Sequence, residues 1–277
     1  MAILMDGKQL AKKIRTNLKK ECEELKEKGI NPKFAVIMVG NDSASKIYVR
    51  SKSRACEEIG IEFEEFLLGE DTTQEKLENL IEELNQNKKV HGILVQSPIP
   101  KHLDVNRAFE KIAPEKDVDG FNSVNVGKLA LNRDTFVSCT PYGIMKIFEE
   151  YQIDLTGKEV VIIGRSNIVG KPLIPQLLSK NATVTVCHSK TKNIDEELKQ
   201  ADVIVMAIGK AKFLKKEQIK KGAILIDVGI NFENGKIVGD IDYEDIKEKA
   251  SMCTPVPGGI GTVTNALLID NIITRGK

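Results

Sequence analysis

Short apolar runs alternate with amphipathic stretches along this chain. Phe34-Ala-Val-Ile-Met-Val-Gly40 is an unbroken apolar run closed by glycine, the pattern of a strand buried on both faces. Asn41 to Gly60 reads as a helix, with Asp42 or Ser43 as N-cap and Gly60 as terminator. Ile61 to Leu68 is a second strand, alternating at first. Thr73 to Asn87 places Leu77, Leu80, Ile81 and Leu84 at helical spacing. Gly92 to Gln96 is a third strand, stopped by Ser97-Pro-Ile-Pro100. Strands alternating with helices predict a mostly parallel sheet. From Ala113 to Thr140 the chain is rich in loop signals, and a domain boundary is expected near the end of that stretch. A helix that begins with proline follows, Pro141 to Tyr151.

The alternation restarts at Glu159-Val-Val-Ile-Ile-Gly164 and continues through Ala182–Cys187, Ala201–Ile208 and Ala223–Val228. That spacing suits right-handed βαβ units in an open, doubly wound sheet. Thr254-Pro-Val-Pro-Gly-Gly-Ile-Gly261 is a rigid loop, and the apolar segment after it is helical in pattern. The expectation is an α/β protein of two domains. The first spans residues 1–138, with a terminal helix of about 257–277 docking back on it. The second, residues 139–256, is a Rossmann-type doubly wound domain.

Composition narrows the function. Among 277 residues, 41 Lys and Arg balance 40 Asp and Glu, a net charge of +1, so no nucleic-acid partner is expected. The apolar runs fall far below the ~18 residues of a membrane span, so no membrane association is expected. The five cysteines, Cys22, Cys56, Cys139, Cys187 and Cys253, form no CxxC, which suits a reducing compartment and argues against a zinc ribbon. His91, His102 and His188 have no ligand spacing, so no metal is assigned. A cytoplasmic protein is expected.

Two constellations carry chemistry. Gly164-Arg-Ser-Asn-Ile-Val-Gly170 lies directly after a strand and before a helix, where backbone N–H groups and a helix dipole could cradle a pyrophosphate. Ser166 replaces the middle glycine of GxGxxG, so the turn alone also fits an ordinary strand–helix connection. The next strand ends in Cys187-His-Ser-Lys190 with no carboxylate to bind a ribose 2′-OH. Arg165 and Ser189 could bind a 2′-phosphate instead, which favours NADP over NAD. The second constellation is Ser45-Lys-Ile-Tyr48-Val-Arg-Ser-Lys52. Tyr48 and Lys52 share a helix face, and a lysine shielded beside an aromatic ring can act as base or acid near neutrality. The spacing alone equally fits a lysine-rich solvated helix. Gln96 ends its strand at the carboxyl edge, as a ligand contact or a polar cap. Asp117 and Asp119 fit an Asx turn as well as a binding role.

Taken together, these segments resemble the bifunctional methylenetetrahydrofolate dehydrogenase/methenyltetrahydrofolate cyclohydrolases. Tyr48-Val-Arg-Ser-Lys52, Gly92-Ile-Leu-Val-Gln-Ser-Pro-Ile-Pro100, Pro114-Glu-Lys-Asp-Val-Asp-Gly-Phe121, Gly164-Arg-Ser-Asn-Ile-Val-Gly-Lys-Pro172, Asp227-Val-Gly-Ile-Asn231 and Thr254-Pro-Val-Pro-Gly-Gly259 match that family in order, over nearly the whole chain. The resemblance implies a folate-binding catalytic domain, an NADP-binding domain, a cleft between them and a homodimer. It implies Lys52 as the central catalytic residue, with Tyr48 over the folate, Gln96 tuning Lys52, Asp119 binding the pterin edge and Ser45 as a polar neighbour. It places Pro257, Gly258 and Gly259 at the substrate. It places Gly164, Arg165, Ser166, Ile168, Val169, Gly170, Ser189 and Ile230 at NADP. Dehydrogenase activity alone is the alternative. Ser97, Ile99, Ser138 and Gly261-Thr-Val-Thr264 depart from the family pattern. A short-chain dehydrogenase reading of Tyr48 and Lys52 fails on order, because that tyrosine should follow the dinucleotide turn.

Overall fold

A computed structural model describes residues 1–276, and the burial of all of these but Ala44, Arg275 and Gly276. Lys277, the last residue of the expected terminal helix, lies outside the described residues. The chain forms two units. One gathers Lys12–Leu129, Arg133–Cys139 and the segment from Asn265 onward; the other gathers Met1–Ala11, Ala130–Asn132 and Thr140–Thr264.

The first unit holds a three-stranded parallel sheet in the order Glu62–Leu68, Lys33–Val39, Gly92–Gln96. Its middle strand is buried almost throughout, as its continuous apolar run requires. The edge strand is only partly buried, with Phe63 packed on one face and Phe66 and Leu68 on the other. Leu77, Ile81 and Leu84 of the helix Gln74–Gln86 pack on one side of the sheet. Val49 and Cys56 of the helix Ser43–Ile59 pack on the other, beside Leu268, Ile269, Ile272 and Ile273 of the terminal helix Ile260–Gly276. Asp42 caps the Ser43–Ile59 helix by accepting from the Ser45 N–H at 2.7 Å, and Gly60 ends it at φ +93°.

The second unit holds a six-stranded sheet, parallel at every pairing. Its order is Ile3–Leu4, Met252–Cys253, Ile224–Asp227, Val203–Met206, Glu159–Ile163, Thr183–Cys187. The strand order reverses between Glu159–Ile163 and Val203–Met206, and ligands of open α/β sheets bind at the carboxyl edge of such a reversal.

Four features depart from the sequence reading. Residues 1–11 group with the second unit, because Ile3–Leu4 pairs with Met252–Cys253 and Ala2 joins that core. A helix Gly7–Glu27, capped by Asp6 Oδ1 accepting from the Lys8 and Gln9 N–H groups, was not predicted; its buried Leu10, Leu18, Cys22 and Leu25 lie at helical spacing among many lysines. The loop-rich stretch holds a helix Ser123–Ala130, and an antiparallel hairpin, Asn231–Glu233 with Lys236–Val238, turns at Asn234-Gly235.

Candidate active site

The Ser43–Ile59 helix presents Ser45, Tyr48 and Lys52 at spacings of three and four residues. Lys52 Nζ stands 5.9 Å from the centroid of the Tyr48 ring and donates to Gln96 Oε1 at 2.9 Å. Gln96 ends a buried strand at the reversal of the first sheet and is only 8% exposed. Its Nε2 donates to Ser97 O at 2.7 Å, which turns Oε1 toward the lysine. Burial pushes Lys52 below the ordinary lysine range, and the Asp119 carboxylate opposes that shift. Tyr48 is 47% exposed, so its ring offers free surface. Ser45 is buried, and its Oγ has no hydrogen-bond partner among the described residues.

Asp119 arrives on a segment that extends the sheet. The Ile93 N–H donates to Lys116 O at 2.8 Å, and Ile93 bridges to Asp117. Asp117 accepts from the N–H groups of Gly120 and Asn122 and from Asn125 Nδ2, at 3.1, 2.7 and 3.0 Å. It is therefore the Asx-turn residue of the pair. Asp119 is half-buried and, among the described residues, has no such ring of donors. Burial pushes its carboxyl up to about 6, against the pull of Lys52 and with the push of Asp117. Asn271 Nδ2 donates to Val118 O at 2.8 Å, so the terminal helix grips the residue next to Asp119. Cys139 Sγ donates to the same carbonyl at 3.5 Å, and burial holds this thiol well above the ordinary range. Burial also pushes Cys56 up to about 12. Neither sulfur is poised as a nucleophile.

On the second unit, the turn from Gly164 to Gly170 joins the strand Glu159–Ile163 to the helix Gly170–Leu178. Gly164 lies at φ +130°, and a Cβ there would overlap Ala207 O. A Cβ on Gly170 would overlap Gly164 O. Ser166 Oγ accepts from the Val169 N–H at 3.1 Å and shapes the turn from within. Among the described residues no side chain caps the helix; the Lys171 N–H donates to Ser166 O at 3.0 Å and Pro172 has no N–H, so it is the Gly170 N–H that is left to meet an anion. Arg165, Ser166 and Ile168 are exposed, as is Ser189 beyond the strand Thr183–Cys187. This backbone cradle, with one cation and no carboxylate at the strand end, fits a phosphorylated dinucleotide. Ile230 is also exposed and lies 3.9 Å from where a Cβ on Gly261 would sit. Pro257 is exposed, while Gly258 O accepts from the Lys8 N–H at 3.1 Å and Gly259 packs against Gly7.

Residues 5–119 match the catalytic domain of tetrahydrofolate dehydrogenase/cyclohydrolase, and residues 138–277 match its NAD(P)-binding domain. The chain belongs to the tetrahydrofolate dehydrogenase/cyclohydrolase family. The bifunctional protein FolD of Acetivibrio thermocellus is 54% identical, over 100% of this chain and 97% of that protein. Among solved structures, the bifunctional enzyme FolD of Campylobacter jejuni matches with a TM-score of 0.98 at 48% identity, covering 100% of this chain and 99% of that one. The Trypanosoma brucei methylenetetrahydrofolate dehydrogenase-cyclohydrolase, complexed with NADP cofactor and inhibitor, matches with a TM-score of 0.94 at 36% identity, over 99% and 97% of the two chains.

Within this member of the dehydrogenase/cyclohydrolase family, the first unit brings together Lys52, Tyr48, Gln96 and Asp119, and the second carries the predicted nucleotide residues. Sequence reasoning missed the residues that hold this machinery. Lys116, Asn271 and Ala207 act through backbone atoms distant in sequence, so no local pattern marks them. Asp227 and Asp240 do carry a signal, an aspartate set close to glycine in Asp-Val-Gly229 and Gly239-Asp.

Proposed function

We propose that this protein oxidises 5,10-methylenetetrahydrofolate to the methenyl form with NADP⁺, then hydrolyses it to 10-formyltetrahydrofolate. The observation that carries this reading is the 2.9 Å hydrogen bond from Lys52 to Gln96, beside the Tyr48 ring and within the field of Asp119. NADP⁺, when bound, accepts the hydride. The Gly164–Gly170 turn, with the Gly170 N–H at the helix start, would hold its pyrophosphate, and Arg165 and Ser189 its 2′-phosphate. Asp119 would accept from the amino-pyrimidine edge of the pterin, and Tyr48 would pack on the ring. Hydride loss demands orientation more than a strong acid, so this step relies on these contacts.

Hydrolysis needs a base. Water attacks the methenyl carbon and a proton must leave the water or the tetrahedral adduct; as the formyl C=O forms, the bond from that carbon to N5 breaks and N5 keeps the electron pair and takes up a proton. Lys52 in its neutral form takes the proton that leaves, and burial enlarges the neutral fraction. Gln96 accepts from Lys52 and so keeps the nitrogen in one place. The dehydrogenase-only reading is not favoured, since the Lys52, Gln96 and Asp119 group is complete.

The same reading makes the protein a cytoplasmic homodimer. Five buried, free cysteines support a reducing compartment. No helix among the described residues is long and apolar enough to cross a membrane. The test is turnover of methylenetetrahydrofolate with NADP⁺ and NAD⁺ offered separately, following reduced cofactor, methenyl and formyl products together. NADP-dependent reduction with formyl product is expected. Accumulation of methenyl alone would refute the hydrolytic role, and equal rates with NAD⁺ would refute the role of Arg165 and Ser189.

A further inference from the structure

Two buried carboxylates of the second unit take no part in this chemistry. Asp227 ends the strand Ile224–Asp227, and Asp240 follows the hairpin 231–238. Asp240 is 0% exposed. Its Oδ2 accepts from the N–H groups of Ile208 and Gly209 at 2.9 and 3.0 Å. Its Oδ1 accepts from the Lys210 N–H at 2.7 Å and from Asn231 Nδ2 at 2.9 Å. Asp227 in turn holds Asp240 in place, because its Oδ1 accepts from the Asp240 N–H at 2.9 Å and its Oδ2 from the Ile241 N–H at 2.9 Å.

Glycines make room for both groups. A Cβ on Gly229 would overlap Asp240 Oδ1, and one on Gly239 would overlap Asp227 Oδ2. The loops held this way leave adjacent strands at the carboxyl edge of the sheet. One begins at Ala207, whose carbonyl sits against Gly164, the first residue of the nucleotide turn. The other carries Ile230 immediately before Asn231.

We propose that Asp240, anchored by Asp227, is a positioning residue for the nucleotide site, fixing the 207–210 loop against the Gly164 turn and setting Ile230. The proposal rests on the nucleotide reading of that turn. Fold stability alone gives little reason for this arrangement. Burying two facing carboxylates is costly, and apolar packing commonly stabilises as well or better. The pair supplies fixed backbone geometry in two loops at the ligand-binding edge, which apolar side chains do not specify.

The test uses Asp240→Asn in the full-length protein. The amide keeps the shape but turns an N–H toward backbone donors. Three quantities are read: NADP⁺ affinity by calorimetry, methenyltetrahydrofolate hydrolysis, and thermal unfolding. Losing charge-assisted bonds should weaken NADP⁺ binding about tenfold. Hydrolysis, which involves no hydride transfer, should fall by less than about twofold, with cooperative melting. Asn231→Ala, which removes one donor, should weaken NADP⁺ about threefold. Folded Asp240→Asn that binds NADP⁺ like the parent overturns the proposal. Parallel loss of both activities with a broadened melt also overturns it, because the role would then be structural only. If Asp240→Asn does not fold, unchanged NADP⁺ affinity in Asn231→Ala overturns it. Arg165→Glu separates the two levels. If it also leaves NADP⁺ affinity unchanged, the nucleotide reading itself fails; if it weakens binding while the other two do not, only the positioning role fails.

Discussion

Lys52 and Asp119 each counter the shift that burial imposes on the other. Burial lowers the lysine from 10.5, and Asp119 limits the fall. Replacing Lys52 with Met removes the base for hydrolysis. Cyclohydrolase activity should then drop at least about a hundredfold, with more of the dehydrogenase spared. Full hydrolysis by that variant would refute the role given to Lys52. Asp119→Asn removes the charge that favours the ammonium form. The acid-side fall of the hydrolysis pH profile should therefore move to lower pH, and an unmoved profile would exclude the coupling. The same variant tests linkage. The Asp119 carboxyl is raised from 3.8 to about 6, so the ionised group opposes folding. That opposition develops as pH rises from 3.8 to about 6 and is complete above. Asp119→Asn should gain thermal stability at neutral pH, and the gain should shrink as pH falls from 6 toward 4.

At the scale of elements, the site depends on where helices end and what holds them. Lys116 is buried, and its Nζ donates to Leu84 O, Asn85 O and Asn87 O at 2.9, 2.6 and 2.8 Å. It thereby closes the carboxyl end of the Gln74–Gln86 helix and ties that helix to the segment bearing Asp119. Lys116→Met would leave these carbonyls without their cation and should destabilise by about 2–4 kcal/mol in urea unfolding. A change below about 1 kcal/mol would show that water replaces the ammonium. This role was not legible in Pro114-Glu-Lys-Asp-Val-Asp-Gly120, because the acceptors lie some thirty residues earlier. The helix Ser43–Ile59 was legible to its caps, since aspartate before serine and a terminal glycine are local signals.

At the scale of the molecule, the chain passes between its units more than once, so neither is a continuous segment. Leu268, Ile269, Ile272 and Ile273 belong to the core of the first unit, although they come from the end of the sequence. Burial of each contributes about 1.5–3 kcal/mol, and their sum rivals the whole stability of a typical domain. A protein truncated before Asn265 should therefore lose cooperative unfolding of its first unit and bind a hydrophobic dye. A sharp melt like that of the full chain would exclude this dependence.

Periodicity and turn chemistry alone determined much of this protein. The buried strands, their alternation with helices, the glycine turn after Glu159–Ile163 and the shared face of Tyr48 and Lys52 all follow from patterns within about twenty residues. Such patterns are local because helix and strand periods are local. Tertiary structure alone decided the rest. Strand Ile3–Leu4 joins a partner some 250 residues away, Asn271 grips Val118, and the Asp227–Asp240 pair fixes two loops. It also decided that Asp117 builds the turn while Asp119 faces the field of Lys52. Two aspartates one residue apart are indistinguishable in sequence. Only the backbone donors gathered around one, and the ammonium near the other, give them different tasks.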